Sequence, residues 1–164
     1  MGSMKEKVLD YIKNVLEVPR DEYNGMPVCP FAKQERESDN IYIDTITDDN
    51  DFIICMHNFI ESGKNSAVFI QEDKTITLAE RETKRYQKFL NKVLKMLDKS
   101  EWKALCINPK DKLDVDGFNA RSLAPCFLVL INNKKEIQKA HSNIIKTKYY
   151  EKMSEKYKKY LGVK

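Results

Sequence analysis

Apolar positions along the chain change period several times, and each change marks an element. Val8, Tyr11, Ile12, Val15 and Leu16 recur at helical spacing, which predicts a helix over 4–18 with Pro19 as its stop. Pro19, Gly25 and Pro27 make 19–28 a loop, and the all-polar stretch 34–40 reads as an exposed loop or a frayed helix end. Ile41 to Ile46 is β-branched and alternating, hence a strand. Asp48 and Asp49 then offer an N-cap to a helix whose stripe is Phe52, Met56, Phe59 and Ile60 and whose stop is Gly63. Ala67 to Ile70 is a short buried strand.

The sharpest helical pattern comes next. Thr77 and Glu80 have the spacing of a capping box, and Tyr86, Phe89, Leu90, Val93 and Leu97 follow as an apolar stripe. Trp102 to Ile107 and Cys126 to Ile131 read as strands, the second a continuous apolar run expected at the centre of a sheet. Between them, 108–122 is a polar loop. From Lys134 to Leu161 the pattern is helical, but the stripe through Ile137, Ala140 and Ile144 does not run smoothly into Tyr150, Met153, Tyr157 and Tyr160. A kink or break is expected near 146–148. This order predicts an α/β (α+β) fold: one mixed sheet of about four strands with helices packed on it and a long C-terminal helix.

Composition fits one such domain over 4–164. Apolar residues make up 41% and charged residues 33% of 164, enough for a core and too apolar for a disordered chain. Met1-Gly2-Ser3 before Met4 reads as an expression scar. No apolar run approaches the roughly 18 residues of a membrane span, and no signal segment opens the chain, so the expectation is a cytoplasmic protein. Cys29, Cys55, Cys106 and Cys126 are sparse, and the last three sit in apolar runs, as reduced buried thiols do. No Cys-x-x-Cys is present, and with only His57 and His141 no zinc spacing can be assembled. Asp114, Asp116 and Gly117 are out of phase for an EF-hand, because Lys112 and Leu123 would take its first and last ligand positions. No metal is expected, and no cofactor is identifiable.

Charge changes the picture in one place. Ten Lys against three Glu from residue 134 onward give that segment +7 of a net +4, leaving −3 on the rest. Lysines contact phosphate and tyrosines can stack on bases, so nucleic acid is one candidate partner. The tyrosines also fall at helical spacing, which core packing explains equally.

Two loops carry candidate chemistry. Cys29-Pro30 at a helix opening would put Cys at the cap and Pro at the first helical position, where amides and the helix dipole favour a thiolate; Lys33, one turn on, would add positive charge. Against a thioredoxin-like dithiol, position 32 is Ala. In Asp116–Ser122, Arg121 offers a bidentate fork for a carboxylate or phosphate, with Asn119 and Ser122 completing the bonds. The plainer alternative is a solvated loop whose polar groups satisfy its own backbone. His57 lies beside its helix's apolar stripe and is expected at a core or boundary position; His141 sits on the basic helix, where it could face the core or solvent.

The run Gly25-Met-Pro-Val-Cys29-Pro30-Phe31-Ala32, the Tyr86-x-x-Phe89-Leu90 helix, Asn108-Pro109, and Arg121-Ser122-x-x-Pro125 before an apolar segment together resemble an uncharacterised bacterial domain family. Its members carry Leu-Cys-Pro-Phe-Ala and Asn-Arg-Ser-Pro-Tyr-Pro boxes and a His-Pro pair. The resemblance spans most of 4–140, with Asn108 in place of the His, Ala120 in place of the Asn before Arg, and Leu123-Ala124 in place of Pro-Tyr. It implies two functional loops and no particular reaction. The expectation is a small enzyme acting on an anionic small molecule, with Cys29 as thiolate and Arg121, Asn119, Ser122, Lys33 and Asn108 binding substrate. The alternative is a non-catalytic module that binds nucleic acid or a protein through the basic C-terminal segment.

Overall fold

In the computed structural model of the chain, residues 2–71, 80–112 and 114–161 are described. The chain begins with α1 (Met4–Tyr11), which widens into a π-helical turn over Ile12–Leu16. Two two-residue strands, β1 (Pro19–Arg20) and β2 (Met26–Pro27), pair antiparallel. They are joined through Asn24 and Gly25, both at positive φ. Next come α2 (Ala32–Glu37), β3 (Ile41–Thr45), α3 (Asp49–Ser62), β4 (Ser66–Gln71), α4 (Glu80–Met96), β5 (Trp102–Ile107), β6 (Phe127–Asn133), α5 (Lys134–Ile144) and α6 (Glu155–Leu161). Thr77, the first half of the capping box read at Thr77–Glu80, lies outside the described residues. The polar stretch after Cys29 is mostly the short helix α2.

The main sheet has the order β3-β4-β6-β5. β3 and β4 are parallel, joined by α3 as a crossover, and β6 runs antiparallel between β4 and β5. The expected mixed four-stranded sheet is therefore present. Its centre is the apolar run of β6, in which Phe127, Val129 and Ile131 face one way and Leu128 and Leu130 the other.

Both faces are covered. α3 and α4 lay Phe52, Met56, Phe59, Leu90 and Leu94 on the face carrying Phe69, Cys106, Phe127 and Val129. α1 and its π-turn lay Val8, Tyr11, Ile12 and Leu16 on Val68, Ile70, Ile107 and Leu128. α3 is stopped as its caps dictate: the Asp48 carboxylate accepts from Asp51 N–H, and Gly63 takes a left-handed φ of 72°. A third cluster, of Tyr23, Val115, Ile144, Tyr149, Met153 and Tyr157, lies against Leu105 beside β5.

This third cluster breaks the C-terminal helix. The break expected near 146–148 is present, so the one long C-terminal helix of the sequence reading is two helices with turns over 145–154. Tyr149, Met153 and Tyr157 all enter the cluster that holds Ile144, and one straight helix would not bring residues at those offsets to one side. Thr147 Oγ1 donates to Ile144 C=O at 2.6 Å, and Tyr149 donates its hydroxyl to Val28 C=O. No described helix is long and apolar enough to cross a membrane.

Candidate functional site

The residues nominated around Arg121 do come together, at the end of β5. Asn108 is fully buried there and donates to Thr83 Oγ1 at 2.9 Å. Its side-chain oxygen accepts from Lys110 N–H at 3.0 Å, and its carbonyl from Asp111 N–H at 2.9 Å. Asn119 donates to Asp111 C=O at 2.6 Å and accepts from Ser122 N–H, capping the short 3-10 turn Ala120–Leu123. Ser122 is exposed, and its hydroxyl returns to Asn119 C=O at 2.7 Å. Arg121 is only 4% exposed, donates to Cys106 C=O at 2.7 Å, and lies 3.7 Å from the buried Asp111 carboxylate. Its guanidinium sits 5.8 Å from the Tyr157 ring centroid.

These bonds point inward. The fork predicted to hold an anion instead closes the outer edge of β5. That edge is covered along most of its length by α4, where Asn91 brackets Ala104, donating to its C=O at 3.0 Å and accepting from its N–H at 2.9 Å. Gln87 accepts from Cys106 N–H at 2.8 Å, and Thr83 meets Asn108. Thr83, Gln87 and Asn91 step by four along the helix while 108, 106 and 104 step by two along the strand. Four helical residues advance about 6 Å and two strand residues about 6.7 Å, so the two ladders stay in register. Arg121 takes the carbonyl that α4 leaves. Sequence reading did not find this ladder; its signal is the i, i+4, i+8 row of small polar side chains beside the apolar stripe.

Cys29 lies elsewhere. It occupies a turn whose N–H donates to Leu16 C=O at 2.9 Å, and the cap of α2 falls at Phe31 instead of Cys29. Cys29 is half-buried and packs at the margin of the α1 cluster. Burial pushes its thiol pKa up, against the pull of the Phe31 and Ala32 amides on the sulfur, and Glu17 and Glu35 add to the rise. The expected depression is thus reversed: a six-residue helix offers little dipole, and the neighbouring charges are acidic. Lys33 is exposed and faces Glu37 at 3.9 Å instead of the thiol.

Tyrosines join the two regions. Tyr11 donates its hydroxyl to Ala120 C=O at 2.9 Å. Its pKa is raised chiefly by burial, opposed by the Arg121 charge and reinforced by Tyr157 and Cys29. Tyr149 and Tyr150 are both raised by burial first and by Cys29 next. His141 Nδ1 lies 3.3 Å from Tyr150 Oη, so one histidine reaches the margin of the Cys29 region through a tyrosine. His57, expected beside the core, is exposed: its position falls one step outside the buried arc of Cys55, Met56 and Phe59. All four cysteines are free thiols, and among the described residues no cluster of His, Cys, Asp or Glu could hold a metal ion.

The basic segment separates its two residue types cleanly. Tyr149, Met153 and Tyr157 are buried. Lys134, Lys135, Lys139, Lys146, Lys148 and Lys159 are exposed and hold no ion pair among the described residues. Lys103 on β5 is half-buried near Lys134: burial and then repulsion by Lys134 lower its pKa. No family model matches the chain, and no curated protein or solved structure matches it.

Proposed function

We propose that the chain is a non-catalytic binding module for a polyanion, nucleic acid first among them, and that the lysines of α5, α6 and the turn between them form its contact surface. The observation that carries this reading is the division within one segment: Tyr149, Met153 and Tyr157 are spent on the core, and six lysines stand in solvent without ion pairs among the described residues. Such a surface contacts phosphate, which carries no sequence information, and it does so without base stacking by Tyr149 or Tyr157, which are buried. Four free cysteines support a reducing, intracellular setting.

Anisotropy titration of a labelled single strand tests the proposal. Binding at low salt should weaken linearly in log–log terms, and each lysine lost from the contact should lower the slope by about 0.7. Replacing Lys134, Lys135 and Lys139 together by Ala should flatten it by about 2. No binding at low ionic strength would remove the reading.

A second reading is favoured by the contact of His141 with Tyr150, which packs against the cluster that Val28, the neighbour of Cys29, also borders. Under it the chain is a small enzyme acting on an anionic substrate, with Cys29 as the reacting thiol. It requires Cys29 to be modified at neutral pH faster than the other three cysteines, and for that rate to fall in Tyr150→Phe.

A further inference from the structure

Among the described residues, the opposite edge of the main sheet has no cover of the kind β5 carries. Ser66 N–H donates to Asn40 C=O at 3.1 Å and Ile46 N–H to Ile70 C=O at 2.8 Å. In a parallel ladder these two bonds fix which residues face β4: 40, 42, 44 and 46. Ile41, Ile43 and Thr45 therefore turn their N–H and C=O groups outward. Thr45 is locally occupied: its N–H donates to the Asp44 carboxylate at 2.8 Å, and its carbonyl takes the Cys55 thiol at 3.7 Å. Ile41 and Ile43 have no main-chain partner on that side among the described residues. A groove runs along them, walled by Lys5 and Leu9 of α1 on one side and Ser62 and Lys64 on the other.

We infer that this edge is a self-association surface: β3 pairs antiparallel with β3 of a second copy, about a two-fold axis at Ile43. One edge shared by two copies of a chain meets itself antiparallel under a closed two-fold. The strand is self-complementary in that register. Ile43 opposes Ile43, and Ile41 opposes Thr45, both on the apolar α1 side. Tyr42 opposes Asp44 on the other side. Within one chain Tyr42 already donates to Asp44 at 3.0 Å, so the pairing exchanges one partner for its equivalent and frees Thr45 N–H for the ladder. The outward groups of 41, 43 and 45 then form about six main-chain hydrogen bonds.

Charge selects the same orientation. The start of β3 is flanked by Lys5 and by Lys64, the latter 3.3 Å from Asp39. Its end leads into Asp48 and Asp51 of α3. Antiparallel pairing sets the lysine-bearing end of each copy beside the aspartates of the other. A five-residue strand makes a small interface, so the dimer is concentration-dependent and weakened by salt.

Sedimentation velocity over a concentration series, with amide hydrogen exchange at the same concentrations, tests this. The expected result is a monomer–dimer equilibrium in which Ile43 N–H exchange slows as concentration rises. Ile43→Pro removes an outward N–H without touching a bond to β4, and should weaken the dimer by about tenfold or more. Lys64→Glu, which leaves the backbone intact, should weaken it further as salt is lowered, reversing the wild-type salt dependence. A monomer at every concentration up to about 1 mM would overturn the inference. So would a dimer in which Ile43 exchanges at the monomer rate, or one unmoved by Lys64→Glu. If Ile43→Pro does not fold, the exchange measurement and Lys64→Glu decide the matter.

Discussion

The two edge strands of the sheet have opposite solutions to the same problem. An edge presents unpaired amides and carbonyls and invites another strand to pair. On β5, side chains answer these groups one by one: Asn91 at Ala104, Gln87 and Arg121 at Cys106. On β3, Ile41 and Ile43 are left open among the described residues. Because β5 is closed by buried polar groups, substitution there is costly to the fold. Because β3 is open, substitution there costs the monomer little and changes association instead.

The sharpest way to break the contrast is at Arg121. Arg121→Met removes the donor to Cys106 C=O and the positive charge 3.7 Å from Asp111, whose side chain is wholly buried. Breaking a buried pair from one side costs about 3–5 kcal/mol. Urea denaturation should show a loss of that size, and the double variant with Asp111→Asn should recover part of it, because no uncompensated charge remains. A loss under about 1 kcal/mol would mean that Arg121 is not the clamp described here.

Asn91→Leu should cost less, about 2 kcal/mol, since it leaves the Ala104 N–H and C=O without their neutral partner. It should also open the β5 edge to pairing and raise aggregation above that of the wild-type chain. Gln87→Leu loses one bond and should cost about 1 kcal/mol. On the other edge, Tyr42→Phe removes only the half-exposed bond to Asp44 and should change monomer stability by about 0.5 kcal/mol.

Much of this architecture is legible in the chain. Asp48, the Phe52–Met56–Phe59 stripe and Gly63 bound α3 within a residue, because caps and period are local physics. The strands are legible for the same reason. The edge ladder is not, because Thr83, Gln87 and Asn91 look like any solvated helix face until β5 is placed beside them. Arg121 shows the limit most clearly. Arg, Asn and Ser in a loop are the groups that bind an anion, and they are equally the groups that satisfy a buried carbonyl and carboxylate. Only the fold decides between the two, and here it brings Asp111 and Cys106 to the guanidinium. The break after Ile144 is legible as a change of phase in the apolar stripe, but the cluster that its two halves enter is not, because one member, Tyr23, is more than a hundred residues away.

The region between the two edges gives the smallest and broadest effect, at alkaline pH. Tyr11, Tyr23, Tyr149 and Tyr150 are raised above the ordinary tyrosine value by burial, and Tyr42 is raised to about 12 by burial and then by its bond to Asp44. Burial also lifts the Cys55 thiol to about 12 and that of Cys29 above its usual value. Each group is neutral when protonated and is harder to deprotonate in the folded state than in the unfolded chain. The folded state therefore holds more protons once pH exceeds the unfolded values of about 8.5 for Cys and 10 for Tyr. The stability these groups contribute is full below those values and is lost as pH rises toward and through the folded ones. Unfolding free energy should stay level in this respect from pH 7 to 8, then fall steadily to pH 12. The tyrosinate absorbance of Tyr11, Tyr23 and Tyr149 should appear together with unfolding instead of before it. Tyr42, at the open edge, should titrate ahead of Tyr11 and Tyr149, and Tyr42→Phe should delete that early component alone. Were the tyrosines to ionise in a single step near pH 10 with the fold intact, the buried cluster that divides the C-terminal helix would not be packed as described.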